Sequence, residues 1–526
     1  MKSIKRHLFK IATATMLTFS LVSCDKFLNV EPVDSLSGNN FWKDVNDAET
    51  FTLEIYRLFR ESALLKGPYF IMGELRNAPV RKTGSFPNRW DIQYAAEGNV
   101  PRLAYEVRPT PGTDANRFWT YNVEWDILDD WTPFYKVIQG SNILFENIDR
   151  LAKNDPSISS NIIQSYQAEA VYMRCLSYFF LIRLYGDVPY YTNANNSTPL
   201  PRLDHVQVAK NCIAELEKIK DKLPWTYEEP ANRGVRAMRG SVLALMMNLY
   251  MWMAGFDEPN AAAYYQKVDA LGDELVQQGM NGAHAYELIP LNRMDEIFQG
   301  RSRETLFEIP NSVNYQGFVS ANSRKMIPFY VLDGFMVNLN QDKINSELAY
   351  SPEYLKEIYP EGVVDGRKGV WFDDANWLSG DGKFRFYKFL NFEFKGANSA
   401  ENYGNSITIF RMAESILLQA EANAKLGNEE KAGSLLNLVR ARAEATLYPG
   451  NGYENINDAI FYERCKELMG EGWYFFDIVR TKKIIDIKYV SRPMSYSLFQ
   501  AGAWTWPIDR KALTNNPYMK LNYWNQ

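Results

Sequence analysis

Charged side chains in the last quarter of the chain have spacings that could support acid–base chemistry. Glu414 and Glu421 are seven residues apart, Arg411 precedes them, and Arg440 and Arg442 follow a short turn. On a helix this spacing places both carboxylates near one face, about two turns apart. A glycosidase needs two carboxylates about 5 to 10 Å apart at a substrate cleft. We instead predict that these residues join paired helices as partly buried ion pairs, which need not add net stability.

A second set of charged residues follows and receives the same structural interpretation. It comprises Glu463, Arg464, Glu467, Glu471 and Arg480. The carboxylates of Asp373, Asp374 and Asp381 are neighbours in a loop-like segment, which gives them no fixed glycosidase separation. Gly-x-Ser-x-Gly, P-loop and His-Glu-x-x-His patterns do not occur in the sequence. We therefore predict a protein that is not an enzyme and requires no cofactor.

Metal-ligating residues are sparse. Beyond residue 24 the histidines are His205 and His284, which are distant in sequence from each other and from any cysteine. Zinc-type spacing is absent, so no metal site is expected. Cysteines beyond residue 24 are too few for a scaffold of disulfides, although they permit one bridge. They are Cys175, Cys212 and Cys465.

Aromatic and amide-rich segments carry a different chemistry. Sugars present flat C–H faces that stack on Trp and Tyr rings, while their hydroxyl groups pair with Asn, Asp, Arg and backbone groups. Two segments without helical periodicity, 67–131 and 310–405, combine these residue types. Because long ordered loops commonly carry function, we expect them to contact ligand. The candidate contact residues are Arg76, Asn77, Arg81, Trp90, Tyr94, Asn314 and Tyr315.

Three arginines of the first segment, Arg76, Arg81 and Arg89, bear on the charge of the ligand. A guanidinium group is a planar fork that matches a carboxylate. If these side chains point into a binding site, an acidic sugar such as sialic acid fits them. The alternative for each loop residue is burial in the protein core. We expect burial beneath the helices for Trp119, Trp125 and Trp131.

The N-terminus predicts export and lipid attachment. Four basic residues precede an apolar run, Ile11 to Val22, which is shorter than the roughly 20 residues that span a bilayer. Small residues then lead to a cleavage point, as in a secretory signal over residues 1–23. The triplet before Cys24 is Leu-Val-Ser, and this pattern resembles the lipobox of bacterial lipoproteins, in which the cysteine receives diacylglycerol. The alternative is an ordinary signal peptide followed by an incidental cysteine.

Net charge excludes some classes of partner. The whole chain has a formal charge of −5, and removal of the leader with its four basic residues leaves 54 basic against 63 acidic residues, or −9. This balance argues against a nucleic-acid partner, which needs clustered Lys and Arg. It also argues against electrostatic attachment to an anionic bilayer, so lipid is the expected anchor.

Helical periodicity dominates the rest of the chain, which predicts a mainly α fold in one domain over residues 24–526. The hairpin around Gly427, with Ala420 and Ala424 on its first helix, is similar to a tetratricopeptide unit. We predict about four such hairpins, interrupted by the two insertions named above. The predicted helices are Asn46–Glu61, Gln164–Tyr185, Leu203–Leu223, Ser241–Ala254, Ala261–Gln278, Ile407–Leu426, Glu429–Ala445 and Ile456–Met469.

Four blocks of sequence are spread along the mature chain. The blocks are Cys-Asp-Lys-Phe-Leu-Asn-Val-Glu-Pro at 24–32; Ala-Glu-Ala-Val-Tyr-Met-Arg at 168–174 with Tyr-Gly-Asp-Val-Pro at 185–189; Arg-Met-Ala-Glu at 411–414, Arg-Ala-Arg-Ala at 440–443, Glu-Gly at 471–472 and Phe-Asp-Ile-Val-Arg at 476–480; and Trp-Pro-Ile-Asp at 506–509 with Asn-Asn-Pro at 515–517. Together they resemble the SusD/RagB family of outer-membrane lipoproteins, and they occur in the family's order. Cys175 departs from the pattern, because the family tends to have Ala there.

The resemblance implies a fold and a function. The fold is an α-helical domain of four tetratricopeptide-like pairs that supports a loop-rich binding region. The implied function is capture of oligosaccharide at the cell exterior by a lipid-anchored, non-enzymatic protein, which passes the ligand to a SusC-like TonB-dependent transporter in the outer membrane. Two alternatives stay open. One is a peptide-binding receptor of the same architecture, and the other is a helical scaffold that binds no nutrient.

Overall fold

The computed structural model describes residues 41–65, 67–82, 89–106, 125–310, 348–372, 386, 388–389, 392–393, 402–403 and 406–525. The leader, Cys24, Asn314 and Tyr315 lie outside these residues. The described chain is mainly α-helical, as predicted. Its α-helices are α1 (Val45–Leu65), α2 (Gly67–Leu75), α3 (Trp90–Ala96), α4 (Thr132–Asn147), α5 (Asp149–Asn154), α6 (Ser160–Tyr185), α7 (His205–Ile219), α8 (Arg239–Phe256), α9 (Ala261–Glu274), α10 (Asp295–Gln299), α11 (Pro352–Ile358), α12 (Arg367–Trp371), α13 (Met412–Lys425), α14 (Glu429–Arg442), α15 (Ile456–Glu467), α16 (Tyr474–Arg480) and α17 (Tyr496–Gln500).

The long helices pack side by side in a stack. Four pairs are in direct contact: α1 with α4, α6 with α7, α8 with α9, and α13 with α14. Neighbouring pairs meet through α4 and α6, through α7 and α8, and through α9 and α13. Such nearest-neighbour packing is the arrangement of tetratricopeptide-like repeats. The prediction of a mainly α fold with about four helical hairpins is confirmed.

Helices α6 and α8 form the centre of the stack. Residues 168–185 of α6 and 240–254 of α8 are buried without interruption, so these helices are covered on nearly every side. Helix α7 is amphipathic and begins at Asp204, whose carboxylate accepts the N–H of Gln207. Helix α6 ends at Gly186, where φ is +72°, a left-handed conformation that favours glycine.

Three two-stranded antiparallel sheets complete the described fold. They are formed by β1 (Val80–Lys82) with β3 (Leu348–Tyr350), β2 (Thr305–Ile309) with β6 (Ile407–Arg411), and β4 (Phe392–Glu393) with β5 (Asn402–Tyr403). The second pair is fully buried and leads directly into α13. The first pair joins the two insertions, because β1 belongs to the first and β3 to the second. Among the described residues, no helix is long and apolar enough to cross a membrane.

Several boundaries differ from the sequence-based expectation. Residues 407–411 form strand β6, because alternating Ile-Thr-Ile-Phe residues pair with β2. Helix α4 was not predicted, and α2 and α3 lie in a segment expected to lack helix. Helix α2 is apolar along most of its length and so shows little helical periodicity. Trp125 and Trp131 are buried as predicted, whereas Trp119 lies outside the described residues.

Candidate functional site

The candidate site begins at α3, a short helix with one buried and one outward face. Ile92, Ala95 and Ala96 are buried, whereas Trp90 is 44% exposed and Tyr94 is partly exposed. Trp90 and Tyr94 are four residues apart, so the helix brings their side chains to the same face. Their ring centroids are 6.1 Å apart, and their planes are 25° from parallel. Helix α3 therefore presents two aligned rings at the surface.

Two cations flank these rings. The Lys82 Nζ lies 4.3 Å from the centroid of the Trp90 ring, and the Arg102 Cζ lies 5.1 Å from the centroid of the Tyr94 ring. An N–H of Arg102 Nη1 also donates to the Tyr94 hydroxyl at 3.0 Å. Exposed cation–π contacts contribute about 0.5–1 kcal/mol each. The row Lys82, Trp90, Tyr94 and Arg102 is called the platform below.

Backbone pairing between the two insertions positions one end of the platform. Strand β1 pairs with β3 so that Lys82 lies opposite Leu348. The Ser351 N–H, directly after β3, donates to the Pro79 carbonyl at 2.7 Å, directly before β1. The cation over Trp90 is therefore carried by a strand that both insertions build.

The chain around α3 is fixed by Asn77. This residue has φ of +55°, is buried, and donates its N–H to the Ala95 carbonyl at 3.0 Å. Gly98, at φ of +64°, packs against it so closely that a Cβ would lie 2.7 Å from the Asn77 side-chain amide. Asn77, predicted as a ligand contact, is thus placed beneath α3 as part of its support.

Arg76, also predicted to contact ligand, is fully buried. Its Nη1 donates to the Trp504 carbonyl at 2.7 Å and its Nη2 donates to the Ala503 carbonyl at 2.8 Å. The guanidinium lies 4.5 Å from the centroid of the Phe475 ring, and burial lowers its pKa. Arg76 has no surface to offer to a ligand in this structure, because it ties the C-terminal segment to α2. This placement removes it from the candidate set.

The other predicted residues fall into three groups. Arg81 is exposed on β1, next to the platform. Arg89 is buried and makes a bidentate pair with Asp91, with distances of 2.9 and 3.0 Å. It therefore holds the first turn of α3 and does not face solvent. Asn314 and Tyr315 lie outside the described residues.

The platform's cations were missed by sequence reasoning. Lys82 lies eight residues before Trp90, and Arg102 lies eight residues after Tyr94. Neither spacing corresponds to neighbours on a single helix, because α3 begins at Trp90 and ends at Ala96. A basic residue at either end of an aromatic pair was the available signal, but only the fold shows that the four side chains adjoin.

The charged residues near the C-terminus are buried and paired with one another. Arg411 donates all five of its N–H groups: to the carboxylates of Glu304, Glu467 and Glu471 and to the Glu467 carbonyl, at 2.7–2.9 Å. Each of the residues involved is less than a tenth exposed. We call this group the ion-pair cluster. Its members are Arg367, Lys388, Arg411, Arg440, Arg442 and Lys466 with Glu304, Asp365, Glu463, Glu467 and Glu471.

The partners in this cluster differ in one respect from the expected pairing. Arg440 and Arg442 of α14 do not pair with Glu414 and Glu421 of α13. Instead Arg440 pairs with Glu463 and Arg442 with Glu467. The structural role is confirmed, but the pairs connect α14 to α15, because the arginines at the end of α14 lie against the acidic face of α15. The two carboxylates of α13 pair with arginines that follow along the chain, Arg464 and Arg480.

Burial raises the pKa of these carboxyl groups, whereas neighbouring arginines lower it. Burial raises the pKa of Glu467, but Arg442, Arg411 and Arg367 outweigh it and lower the pKa to about 2. Glu414 has one distant ion pair, with Arg464 at 3.7 Å, and burial raises its pKa to about 7. Its carboxyl is 1% exposed, accepts from the Asn248 side chain and lies near Asp477. Its shifted pKa therefore reflects its burial in the helical core.

One group of potential metal ligands occurs among the described residues, at Asp187, Asp204 and His205. The candidate ligand atoms lie within 4.8 Å of one another. The protein itself uses several of these polar groups: Asp187 accepts the His205 N–H, Asp204 caps α7, and His205 Nδ1 accepts the Trp252 indole N–H at 3.1 Å. These three residues therefore have a structural role at the start of α7.

Comparison with known proteins places this architecture in a family. A model described as the SusD family matches residues 363–524, and one described as starch-binding associating with outer membrane matches residues 106–251. A solved SusD homologue from Bacteroides thetaiotaomicron is 37% identical, with a TM-score of 0.78 over 92% of this chain and 99% of the other. The chain belongs to the SusD family. The resemblance inferred from the four sequence blocks is confirmed.

Further relatives carry the same family name, and one of them is named for the ligand that it binds. SusD-like protein P38 of Formosa agariphila is 23% identical over 95% of this chain and 96% of its own length. A laminarin binding SusD-like protein is 19% identical, with a TM-score of 0.67 over 91% of this chain and 99% of the other. The second likeness shows the shared fold. Carbohydrate binding and association with the outer membrane are supported at the level of the family by the description of the second family model.

Proposed function

We propose that this SusD-family protein binds oligosaccharide at the cell surface through the platform. The observation that carries this proposal is the exposed, aligned pair of rings at Trp90 and Tyr94. Large aromatic side chains are normally buried, and an outward pair on one helix face leaves apolar ring surface in contact with solvent. The C–H face of a pyranose ring can pack against exposed aromatic surface of this kind.

The surroundings of the rings supply hydrogen-bonding groups for sugar hydroxyls. Gln93 and Arg102 lie beside the pair, and Arg81 and Lys82 lie on the adjoining strand. A site of this composition, with a flat apolar surface bordered by a few polar groups, is suited to a saccharide. Sialic acid is a specific ligand to examine, although Arg76 and Arg89, which first suggested it, are buried. Asn314 and Tyr315 remain proposed contacts from the second insertion.

The proposed protein is a receptor and has no catalytic role. The carboxylates that invited a glycosidase interpretation, Glu414 and Glu421, are buried in the helical core and paired there. A glycosidase needs its two carboxyl groups at a cleft that admits substrate. Turnover of any oligosaccharide by the purified protein would contradict this part of the proposal.

A binding measurement on the mature protein tests the site. Wild type, Trp90→Ala and Tyr94→Ala are applied to a glycan array that includes laminarin, starch and sialylated oligosaccharides, beside a peptide library. Loss of a stacked ring costs about 1–2 kcal/mol, so each variant should bind its glycan about tenfold more weakly. Tyr496→Ala, which removes a 54% exposed tyrosine outside the platform, is the matched control.

The outcomes separate the possible ligand classes. Glycan binding that depends on Trp90 and not on Tyr496 supports the proposal. Binding to extended peptides alone identifies a peptide receptor of this architecture. Absence of any ligand, together with co-purification of a transporter, identifies a scaffold. Either of the last two results contradicts saccharide capture.

Delivery to a SusC-like TonB-dependent transporter is the second part of the proposal. The lipid on Cys24 would hold the binding domain at the outer membrane, facing the cell exterior, and keep it near the transporter. A Cys24→Ala variant should bind glycan in solution with wild-type affinity but support little uptake by cells. Full uptake with the untethered protein would contradict the positional role of the lipid.

A further inference from the structure

We infer that Arg183 and Tyr69 form an internal binding site for a small monovalent anion such as chloride. The site lies in the helical core and shares no residue with the platform, so the inference does not rest on saccharide binding. Arg183 belongs to the last turn of α6, and Tyr69 belongs to α2. Both side chains are nearly enclosed, at 5% and 2% exposed respectively.

Aromatic rings surround the Arg183 guanidinium. Its Cζ lies 3.7 Å from the centroid of the Phe476 ring, 4.5 Å from that of Phe179 and 4.9 Å from that of Trp473. The negative face of a ring attracts the cation, but a guanidinium also has five N–H groups that need acceptors. Within the described part of the chain, no acceptor forms a hydrogen bond or an ion pair with Arg183.

Arg183 differs in this respect from Arg76 and Arg411, which are also buried. Arg76 donates to backbone carbonyls, and Arg411 donates to carboxylates and a carbonyl. Burial of a charge is costly unless the charge is paired and hydrogen-bonded. A counter-charge that reaches the N–H groups of Arg183 meets both requirements.

The Tyr69 hydroxyl provides a second donor without a partner. It is enclosed and forms no hydrogen bond with the described residues. Tyr69 lies close enough to Arg183 for the two to interact electrostatically, and burial raises the pKa of Tyr69 to about 12. The hydroxyl therefore keeps its proton and is able to donate a hydrogen bond. Two neighbouring donors match an acceptor that carries negative charge, because water supplies an acceptor but no counter-charge.

The carboxyl groups that attract Arg183 are engaged elsewhere. They are those of Asp477 and Glu414. Asp477 accepts from Arg464 Nε and from Arg480 Nε, each at 2.9 Å. Burial raises the pKa of Glu414 to about 7, so this group is mostly uncharged at pH 6. Arg480 also repels Arg183, which adds to the excess of positive charge that an anion would balance.

The lining limits which anions fit. It consists of large aromatic side chains, and the rings of Tyr69 and Phe476 stack with centroids 5.1 Å apart. Since Arg183 keeps 5% of its surface exposed, a sphere the size of a water molecule still touches this side chain. A monovalent ion of about that size loses less hydration energy on burial than a divalent ion such as sulfate. Chloride and bromide therefore match the site, and sulfate does not.

Thermal unfolding in mixed salts tests the inference. The mature protein is heated at pH 6 and constant ionic strength while sodium chloride replaces sodium gluconate, whose anion is too large for the site. We expect Tm to rise by about 1–2 °C and to level off as the site fills. Sodium bromide should act like chloride, whereas sodium sulfate should stabilise the protein without levelling off, since it acts by exclusion from the surface.

Two variants assign the effect to the site. Arg183→Met should lose the chloride response and be no less stable than wild type in gluconate, because it removes an unpaired buried charge. Tyr69→Phe keeps the ring and removes the hydroxyl, so half of the rise should need about tenfold more chloride. Arg57→Met, which removes an exposed arginine of α1, is the matched control and should respond to chloride like wild type.

Crystals grown in sodium bromide locate the ion. An anomalous bromide peak in contact with Arg183 and Tyr69, together with the saturable rise in Tm, supports the inference. Equal Tm in chloride and gluconate overturns it even if a peak is present, which is then an adventitious ion only. An equal chloride response in Arg183→Met also overturns it. A water molecule at Arg183 in the bromide crystals does the same, and this result holds even if Arg183→Met fails to fold.

Discussion

The platform and the ion-pair cluster are built from similar charged residues that serve opposite purposes. In the cluster, Arg411 is 1% exposed and all five of its N–H groups meet protein acceptors. On the platform, Arg102 is exposed and lies against the ring of an exposed helix face. An arginine whose N–H groups all meet buried acceptors holds helices together, whereas one at the edge of an exposed aromatic surface lies where a ligand can reach it.

The contrast also concerns what each region contributes to stability. Removal of one partner from a buried ion pair leaves an uncompensated charge, which costs about 3–5 kcal/mol. Exposed charges and rings contribute about 1 kcal/mol or less. Substitutions in the cluster should therefore change stability, and substitutions on the platform should change binding.

The largest effect is expected from Arg411→Met. The carboxylates of Glu304, Glu467 and Glu471 and the Glu467 carbonyl each lose one of their donors, and the buried carboxylates lose the compensating charge of Arg411, so the free energy of unfolding should fall by about 3–5 kcal/mol. Urea denaturation measures this change. Arg57→Met is the matched control, because Arg57 is 44% exposed and pairs with Glu54 and Glu61 on α1, and it should cost less than about 1 kcal/mol. Equal costs for the two variants would contradict the distinction between the regions.

Acid should weaken the cluster next. The pKa of Glu467 is about 2 in the folded protein and near 4.5 when unfolded, so its stabilisation is complete above pH 4.5 and is lost as pH falls. Between pH 5 and pH 3 this residue alone should lower the free energy of unfolding by about 2 kcal/mol. The pKa of Glu414 is raised to about 7, so this residue acts in the opposite direction. It lowers the free energy of unfolding progressively as pH rises from 4.5 to 7, because the unfolded chain loses the proton that the folded protein keeps. A urea midpoint that stays constant from pH 5 to pH 3 would contradict this assignment.

A smaller loss of stability is expected for a substitution at Arg76, which the sequence predicted to contact ligand and which the structure places in the core. Arg76→Met leaves the buried Trp504 carbonyl without its guanidinium donor, while the carbonyls of Ala503 and Thr505 keep the Trp524 indole N–H, so the protein should be destabilised by about 1–2 kcal/mol. Glycan affinity of the folded fraction should match wild type. If affinity falls while stability is unchanged, Arg76 contacts ligand after all, and the division between the two regions fails at this position.

Much of the fold could be predicted from the sequence because it depends on local signals. Helices α7, α9, α14 and α15 have apolar residues at helical spacing and clear ends, and Gly427, at φ of +80°, marks the turn of one hairpin. Strand β6 was taken for helix because its partner, β2, lies about a hundred residues earlier in the chain. The alternation in residues 407–411 is too short to distinguish a strand from the first turn of α13 when that distant partner is unknown.

The candidate site was predictable only in part, because some of its residues are positioned by contacts with distant parts of the chain. Trp90 and Tyr94 are neighbours on one short helix, so their spacing was enough to group them. Whether Arg76 faces solvent or the core depends on residues 503–505, more than four hundred positions away. Burial decided between ligand contact and support for Arg76, Asn77 and Arg89, and burial is a property of the assembled helices.

The most direct test is a calorimetric titration of one array-selected glycan into wild type and the Trp90→Ala, Tyr94→Ala double variant, with urea denaturation of both. We predict that the double variant binds the glycan about a hundredfold more weakly than wild type. Its stability should change by less than about 1 kcal/mol, because the rings lie at the surface. Retained affinity in a double variant of unchanged stability would contradict the assignment of ligand capture to the platform.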